Sequence, residues 1–375
     1  MSNDDDLESF GRRARELFGI RLPVLLGPMA GGPSTPELVA AVSNAGGLGC
    51  LGGGYLGPER LRHDIRAVRG STDQPFAVNL FAPEEVTADD DSIKRAREVL
   101  APYRRELGLE GDAAPTRYAE DFSEQLDVVV DESVPIFSVT FGLLPAGALR
   151  ALHEVGTLVG GTATTVAEAR ALQESGVDFI CAQGAEAGGH RGSFLSASGD
   201  NLVGLVALVP QVCDAVEVPV VAAGGIGDGR GVAAALMLGA CAAQLGTAYL
   251  LCPEAGTSQP YRDAIRHAGA DETVITSAFS GRRARGIVNR LAQELAGRND
   301  LPGYPVLNAL TRDVRQRAVE LDRAEFLSLW AGQAVGLARE LPAGRLTAVL
   351  EEESRQAIAR RPAVGSSSLS WRAGS

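Results

Sequence analysis

Eight short apolar runs dominate this chain, at 23–28, 48–51, 75–81, 134–140, 157–161, 177–182, 218–223 and 240–245, and helical patterns separate most of them. The runs are continuous rather than alternating, which marks strands buried on both faces, as in a parallel sheet. Eight such strands with crossover helices predict an α/β fold of the (β/α)8 or TIM-barrel type. The rival is an open, doubly wound sheet with a switch point in its strand order. Strand order is invisible in a sequence, and the count of eight favours the barrel. Local punctuation agrees with the helices. Thr35 suits an N-cap, Pro36 the first helical position and Gly46-Gly47 the stop. Thr165 and Glu168 have the spacing of a capping box, and Gly176 closes that helix.

Two stretches fall outside the repeat. Residues 86–128 are rich in charge and carry a helical pattern at 92–107; they predict a helical insertion after the third strand, folded over the barrel mouth or its side. Residues 281–362 predict a C-terminal helical segment packed on the barrel, with helices at 313–321 and 323–341. The barrel is then 20–85 and 129–280, preceded by a lead-in helix at 1–19 and followed by a Ser/Gly-rich, disordered tail at 363–375. With 35 Lys+Arg against 47 Asp+Glu, the net charge of −12 disfavours nucleic acid as a partner. No apolar run approaches the roughly 18–20 residues that span a bilayer. The polar start reads as neither signal nor transit peptide. Cysteines at 50, 181, 213, 241 and 252 form no Cys-x-x-Cys pair, as expected of reduced core thiols in a cytoplasmic protein. The four histidines lack metal-ligand spacing, so no metal is expected.

The 45 glycines bear on function. Barrels of this kind carry their chemistry at the C-terminal strand ends, with phosphates after strands seven and eight. The seventh run leads into Gly224-Gly225-Ile226-Gly227-Asp228-Gly229 at the start of a helix, and the eighth into Gln244-Leu245-Gly246-Thr247. Backbone N–H groups without side chains in the way, and the Thr247 hydroxyl, suit a phosphate; the alternative is that these glycines only make tight turns. The first loop also brushes against a dinucleotide fingerprint, but no acidic residue follows to hold a ribose.

The sixth run leads into Gln183-Gly184-Ala185-Glu186-Ala187-Gly188-Gly189-His190-Arg191-Gly192. His63, His153 and His267 sit in charged helical contexts and read as solvated. His190 lies between glycines that let ligands approach its ring, and its ordinary pKa of ~6.5 suits proton abstraction. A histidine tying down a loop is the alternative. Glu186 is the competing base, unless it is solvated or paired with Arg191. Gln183 and Asn79 end strands six and three, where amides suit a heterocycle with donors and acceptors, such as an isoalloxazine edge, or serve the loop backbone.

These stretches, with Gly27-Pro28-Met29-Ala30-Gly31, Ser43-Asn44-Ala45-Gly46-Gly47, Ser280-Gly281-Arg282-Arg283-Ala284-Arg285-Gly286 and Leu329-Trp330-Ala331-Gly332-Gln333, resemble the bacterial class I nitronate monooxygenases over roughly residues 20–340. The resemblance implies FMN, contacted by Met29, Asn79, Gln183, Gly188, Gly225, Gln244, Leu245, Gly246 and Thr247, with His190 as catalytic base. It implies oxidation of nitronates or nitroalkanes by O2 to carbonyl compounds and nitrite, through one-electron transfer to the flavin. The partners are then a small-molecule substrate and O2, and a homodimer stays open. Two departures stand out: Ala82-Pro83 replaces a frequent Cys-His, and Thr140 replaces a frequent histidine, removing a potential cation at the mouth. Alternatives are an NAD(P)H-dependent flavin reductase of an enoyl thioester or quinone, whose glycine loops are similar, and a biosynthetic flavoenzyme of this fold with another substrate. A non-catalytic FMN-binding protein is a further alternative, against which His190 argues.

Overall fold

The computed structural model describes residues 11–83, 88–111, 115, 117–195 and 201–359. The tail expected at 363–375 and the first ten residues of the lead-in lie outside them. Strands β1 (Val24–Leu26), β2 (Gly49–Gly52), β3 (Phe76–Phe81), β4 (Ile136–Thr140), β5 (Leu158–Ala163) and β6 (Phe179–Gln183) come first. A two-residue β7 (Gly189–His190) follows, then β8 (Val220–Ala223) and β9 (Ala242–Leu245). Eight of these form one parallel sheet in the order β1-β9-β8-β6-β5-β4-β3-β2. The sheet closes where the Leu48 N–H donates to the Val24 carbonyl at 3.0 Å and the Leu26 N–H to the Leu48 carbonyl at 2.8 Å. Closure excludes the doubly wound alternative, and the fold is a (β/α)8 barrel.

Side chains alternate along each strand, so every strand faces both the barrel axis and the surrounding helices. Leu25, Cys50, Ala77, Ile136, Phe179, Val221 and Ala242 fill the lower interior, sealed from below by Phe18 of the Arg12–Phe18 helix. Phe18 meets Phe179 edge to face at 5.0 Å. Phe179 fits because position 160 is glycine: a Cβ there would lie 2.2 Å from its ring. Val78, Leu80, Val139, Ile180 and Leu245 point outward into the layer between barrel and helices. Two residues beyond the inward set, the same alternation brings Asn79, Cys181, Val221's successor Ala223, and Gln244 to the mouth, where they line a cavity with Thr140, Thr162 and Gln183.

The capping expectations hold at Thr35, whose hydroxyl accepts from the Leu38 N–H at 3.1 Å, and at Thr165, which accepts from the Glu168 N–H at 3.2 Å. The Glu168 carboxylate does not complete a box. It is fully buried and accepts from the Thr164 N–H at 2.7 Å, the Thr164 hydroxyl at 2.7 Å and the Phe194 N–H at 2.7 Å, tying the chain after His190 to the barrel.

After the third strand come the Asp90–Glu106 and Phe122–Asp131 helices. Leu100, Tyr103 and Leu107 share a second apolar cluster with Leu250, Phe279, Leu307 and Phe326, so this insertion packs against the C-terminal segment. That segment differs in detail from its helical expectation. Strand β11 (Ala284–Ile287) pairs with β10 (Thr273–Thr276) and with β7 in a small antiparallel sheet. The stretch 323–341 is not a helix: two single 3-10 turns, Ala324–Phe326 and Val335–Leu337, flank irregular chain. Its backbone is spent on long-range bonds, Gly332 N–H to the Thr247 hydroxyl at 2.9 Å and Gln333 N–H to the Glu186 carbonyl at 3.0 Å. Helices Arg312–Glu320 and Ala343–Ala359 are present.

Candidate active site

The cavity at the C-terminal mouth measures about 660 Å³, within the ~300–1,000 Å³ usual for small-molecule and cofactor sites. Met29, Asn79, Gln183, Gly188, Gly225, Gln244, Gly246, Thr247 and His190 all line it. Leu245 does not; its side chain is 1% exposed in the outer apolar layer, and its carbonyl accepts from the Gly27 N–H at 2.8 Å.

Asn79 and Gln183 are oriented by groups that can play only one part in a hydrogen bond, and Gln244 by a thiol. Asn79 Nδ2 donates to the Ser138 carbonyl at 3.1 Å, which only accepts, and to the Ser138 and Thr140 hydroxyls at 2.8 and 3.1 Å. Its Oδ1 is therefore the atom left for a ligand. Gln183 has the opposite polarity: Oε1 accepts from the Gly192 N–H at 2.9 Å and from Arg191 Nη1 at 3.1 Å, while Nε2 donates to the His190 carbonyl at 3.0 Å. One N–H remains. Gln244 Oε1 accepts from the Cys181 thiol at 2.9 Å; burial pushes that thiol up to about 12, so it stays a donor. The floor thus offers one acceptor and two donors. Thr140 holds the Asn79 amide and meets the Thr162 hydroxyl at 3.3 Å.

At the phosphate-type loops the structure corrects one expectation. The N-terminus of the Gly229–Met237 helix faces carboxylates: Asp228 accepts from the Arg230 and Gly231 N–H groups at 3.0 and 3.3 Å, and Glu353 from the Gly229 N–H at 3.0 Å. An anion has no place at that helix end. What remains is the wall Gly224-Gly225-Ile226, opposite Gly246 and Thr247. A Cβ on Gly246 would meet only the Met29 side chain, Sδ at 3.8 Å and Cγ at 3.9 Å, so the cradle there has room. The Thr247 hydroxyl accepts from Gly332 and keeps its own proton to give. Thr257, 7% exposed, lines the same cavity, and its hydroxyl has no protein partner among the described residues. A bare glycine cradle, a donor hydroxyl and an orphaned buried hydroxyl fit a phosphorylated, polar cofactor.

His190 stands on the wall among Phe141, Tyr304 and Trp330, with ring centroids 5.7, 5.8 and 5.4 Å away. Its Nε2 lies 2.8 Å from the Ser280 hydroxyl. Burial, and then the Arg282 and Arg315 guanidiniums, pull its pKa down to about 3, so the ring is neutral. Arg282 lies 3.9 Å over the Phe141 ring, and Arg312 and Arg315 line the cavity. Arg315 is held by the Asn308 carbonyl at 2.8 Å and its side-chain oxygen at 2.9 Å. Positive charge at the mouth therefore comes from the C-terminal segment. Glu186 does not line the cavity; its oxygens accept from the Leu205 N–H at 2.9 Å, at the start of the Leu205–Ala215 helix. His63, His153 and His267 are exposed. Sequence reasoning gave no role to Ser280, Tyr304, Arg312, Arg315 or Trp330. The signals were the resembling stretches that hold Ser280 and Trp330, and the three-residue spacing of Arg312 and Arg315, which puts both on one helix face.

Among the described residues, no helix is long and apolar enough to cross a membrane, and no His/Cys/Asp/Glu group is arranged to hold a metal ion. The nitronate monooxygenase family model matches residues 12–353. A relative from Staphylococcus aureus (strain MSSA476), described as a probable nitronate monooxygenase, is 40% identical over 346 residues, covering 92% of this chain and 97% of its own. The structure of a nitroalkane oxidase from Streptomyces ansochromogenes superposes with a TM-score of 0.86 at 40% identity, covering 92% of this chain and 99% of that one. FabK from Thermotoga maritima superposes with a TM-score of 0.73 at 31% identity, covering 93% and 97%. The family match along the barrel and the C-terminal segment alike, joined to the site they build, establishes that this chain belongs to the nitronate monooxygenase family of flavin-dependent oxidoreductases.

Proposed function

We propose that the protein is an FMN-dependent enzyme that oxidises nitroalkanes and nitronates with O2 to carbonyl compounds and nitrite, with His190 as the base. The observation that carries this reading is a neutral imidazole on the wall of a cofactor-sized cavity, flanked by two guanidiniums. Gly225, Gly246 and Thr247 would hold the FMN phosphate. Asn79 would accept from the ring edge, Gln183 and Gln244 would donate to it, and Met29 and Gly188 would flank it. When bound, the flavin supplies one-electron redox chemistry between substrate and O2.

The protein's own part is the proton. A neutral nitroalkane gives its Cα proton to the imidazole, and the negative charge appears on the nitro oxygens. Arg282 and Arg315, which after burial help to keep the free imidazole neutral, stabilise that charge, so imidazolium and nitronate form as a pair. Phe141, Tyr304 and Trp330 keep bulk water from the ring, which strengthens both interactions. A preformed nitronate needs no base.

Nitrite release from nitroethane and from ethyl nitronate in air, set beside anaerobic mixing with NADPH, tests the proposal. Nitrite from both substrates, with slow NADPH bleaching of the flavin, is expected. Rapid bleaching by NADPH with no nitrite would overturn it in favour of a reductase.

A further inference from the structure

We infer that Ser280 is a positioning residue that fixes the tautomer of His190, so that Nδ1 is the atom that takes the substrate proton. The inference rests on the reading of His190 as the base. Three contacts converge on the Ser280 hydroxyl oxygen, on a residue 1% exposed. The His190 Nε2 lies at 2.8 Å, the Arg282 carbonyl at 3.0 Å and the Arg282 N–H at 3.3 Å. A serine hydroxyl has one proton to give and two lone pairs. The Arg282 carbonyl can only accept, and the hydroxyl proton is the only one available to it in this group. The Arg282 N–H can only donate.

One assignment makes all three contacts hydrogen bonds. The hydroxyl gives its proton to the Arg282 carbonyl and accepts from both the Arg282 N–H and His190 Nε2–H. Were Nε2 bare, the hydroxyl would have to turn its proton to the ring. Its lone pairs would then face the carbonyl at 3.0 Å, in a buried place where a lost hydrogen bond is not replaced by water. Nε2 therefore carries the proton, and Nδ1 holds the lone pair. Among the described residues Nδ1 has no hydrogen-bond partner, and His190 lines the cavity.

The turn that brings Ser280 to this point depends on Gly281, at φ +78°, where a Cβ would lie 2.5 Å from the Gly303 carbonyl carbon. The extended chain 189–191 sets the ring from the other side: His190 pairs with Ala284, and the Arg191 N–H donates to the Arg283 carbonyl at 2.8 Å. Ring and hydroxyl thus belong to one small sheet and its turn, so their register is set by backbone hydrogen bonds.

The test uses FMN-loaded enzyme labelled with 15N-histidine, with the His190 signals assigned by their loss in His190→Asn. The expected spectrum has a protonated Nε2 and a bare Nδ1. In Ser280→Ala the two tautomers become mixed; nitroethane turnover falls about tenfold, the scale of one neutral hydrogen bond, and nitronate turnover falls less. Flavin content stays the same, and Ser280→Thr restores both spectrum and rate. A protonated Nδ1 in the wild type, or an unchanged tautomer in Ser280→Ala, would overturn the inference. Full nitroethane turnover in His190→Asn would overturn the base reading, and this inference with it, by a route separate from the tautomer measurement.

Discussion

At the residue scale the decisive group is His190. It is neutral in the folded protein because burial and two guanidiniums oppose its charge. General-base loss typically costs about 10²–10⁴ in rate. His190→Asn should therefore lower nitroethane turnover by about that factor while keeping FMN and the fold, and ethyl nitronate should lose much less. Steady-state nitrite assays on both substrates separate these outcomes. Equal losses on both would mean that the ring positions substrate without taking a proton. The pKa also predicts a sign. A histidine near 6.5 would lose its base form, and its rate, as pH falls through that value. With the pKa pulled down to about 3, nitroethane kcat/KM should show no acidic limb near 6.5. A limb centred there would show that the cofactor-loaded enzyme restores an ordinary histidine.

At the element scale, the strand-end loops divide the labour. The loop after β8 ends in a helix start already filled by Asp228 and Glu353. Gly224 and Gly225 sit at φ +110° and +69°, where any side chain strains the backbone, so substituting them would confound strain with ligand loss. Gly246, at φ −103°, is the clean probe. Gly246→Val puts methyl groups into the open cradle beside Met29 and should leave a folded barrel with little FMN. Flavin absorbance per folded protein, with circular dichroism as the control, reads this directly; full occupancy would take the phosphate away from this loop. The caps show what was legible at this scale. Thr35 and Thr165 serve N–H groups three residues on, which any sequence window contains. Glu168 also bonds the Phe194 N–H, 26 residues away, which no window contains.

At the scale of the whole molecule, two parts of the chain that sequence periodicity separates build one site. The barrel brings Asn79, Gln183, Gln244, the glycine loops and, at its end, Ser280, and the C-terminal segment brings Arg282, Arg315 and Trp330. Helix Ala343–Ala359 locks the two together behind the glycine loop: a Cβ on Gly229 would lie 2.2 Å from the Glu353 Cβ. This arrangement predicts the flavin's identity. The open cradle at Gly246 and Thr247 suits one terminal phosphate, as FMN carries. Heat-denatured protein should release FMN, as read by chromatography of the supernatant; FAD in that fraction would refute the assignment of the loops.

Length, period and punctuation determined the barrel and its floor. Side chains alternate with a fixed period of two along a strand, so the ends of eight apolar runs already name Asn79, Gln183 and Gln244 as mouth residues. One histidine among glycines at a strand end was equally visible. The tertiary structure alone decided what surrounds it. Ser280 is 90 residues from His190, Arg315 lies farther still, and Trp330 stands in a stretch whose helical periodicity gave way to irregular chain at 327–334. Periodicity and caps express interactions within a turn or two of chain. The partners of a buried polar group are chosen by chain closure over distances that local preference does not encode, and so the charge state and surroundings of His190 came only from the fold.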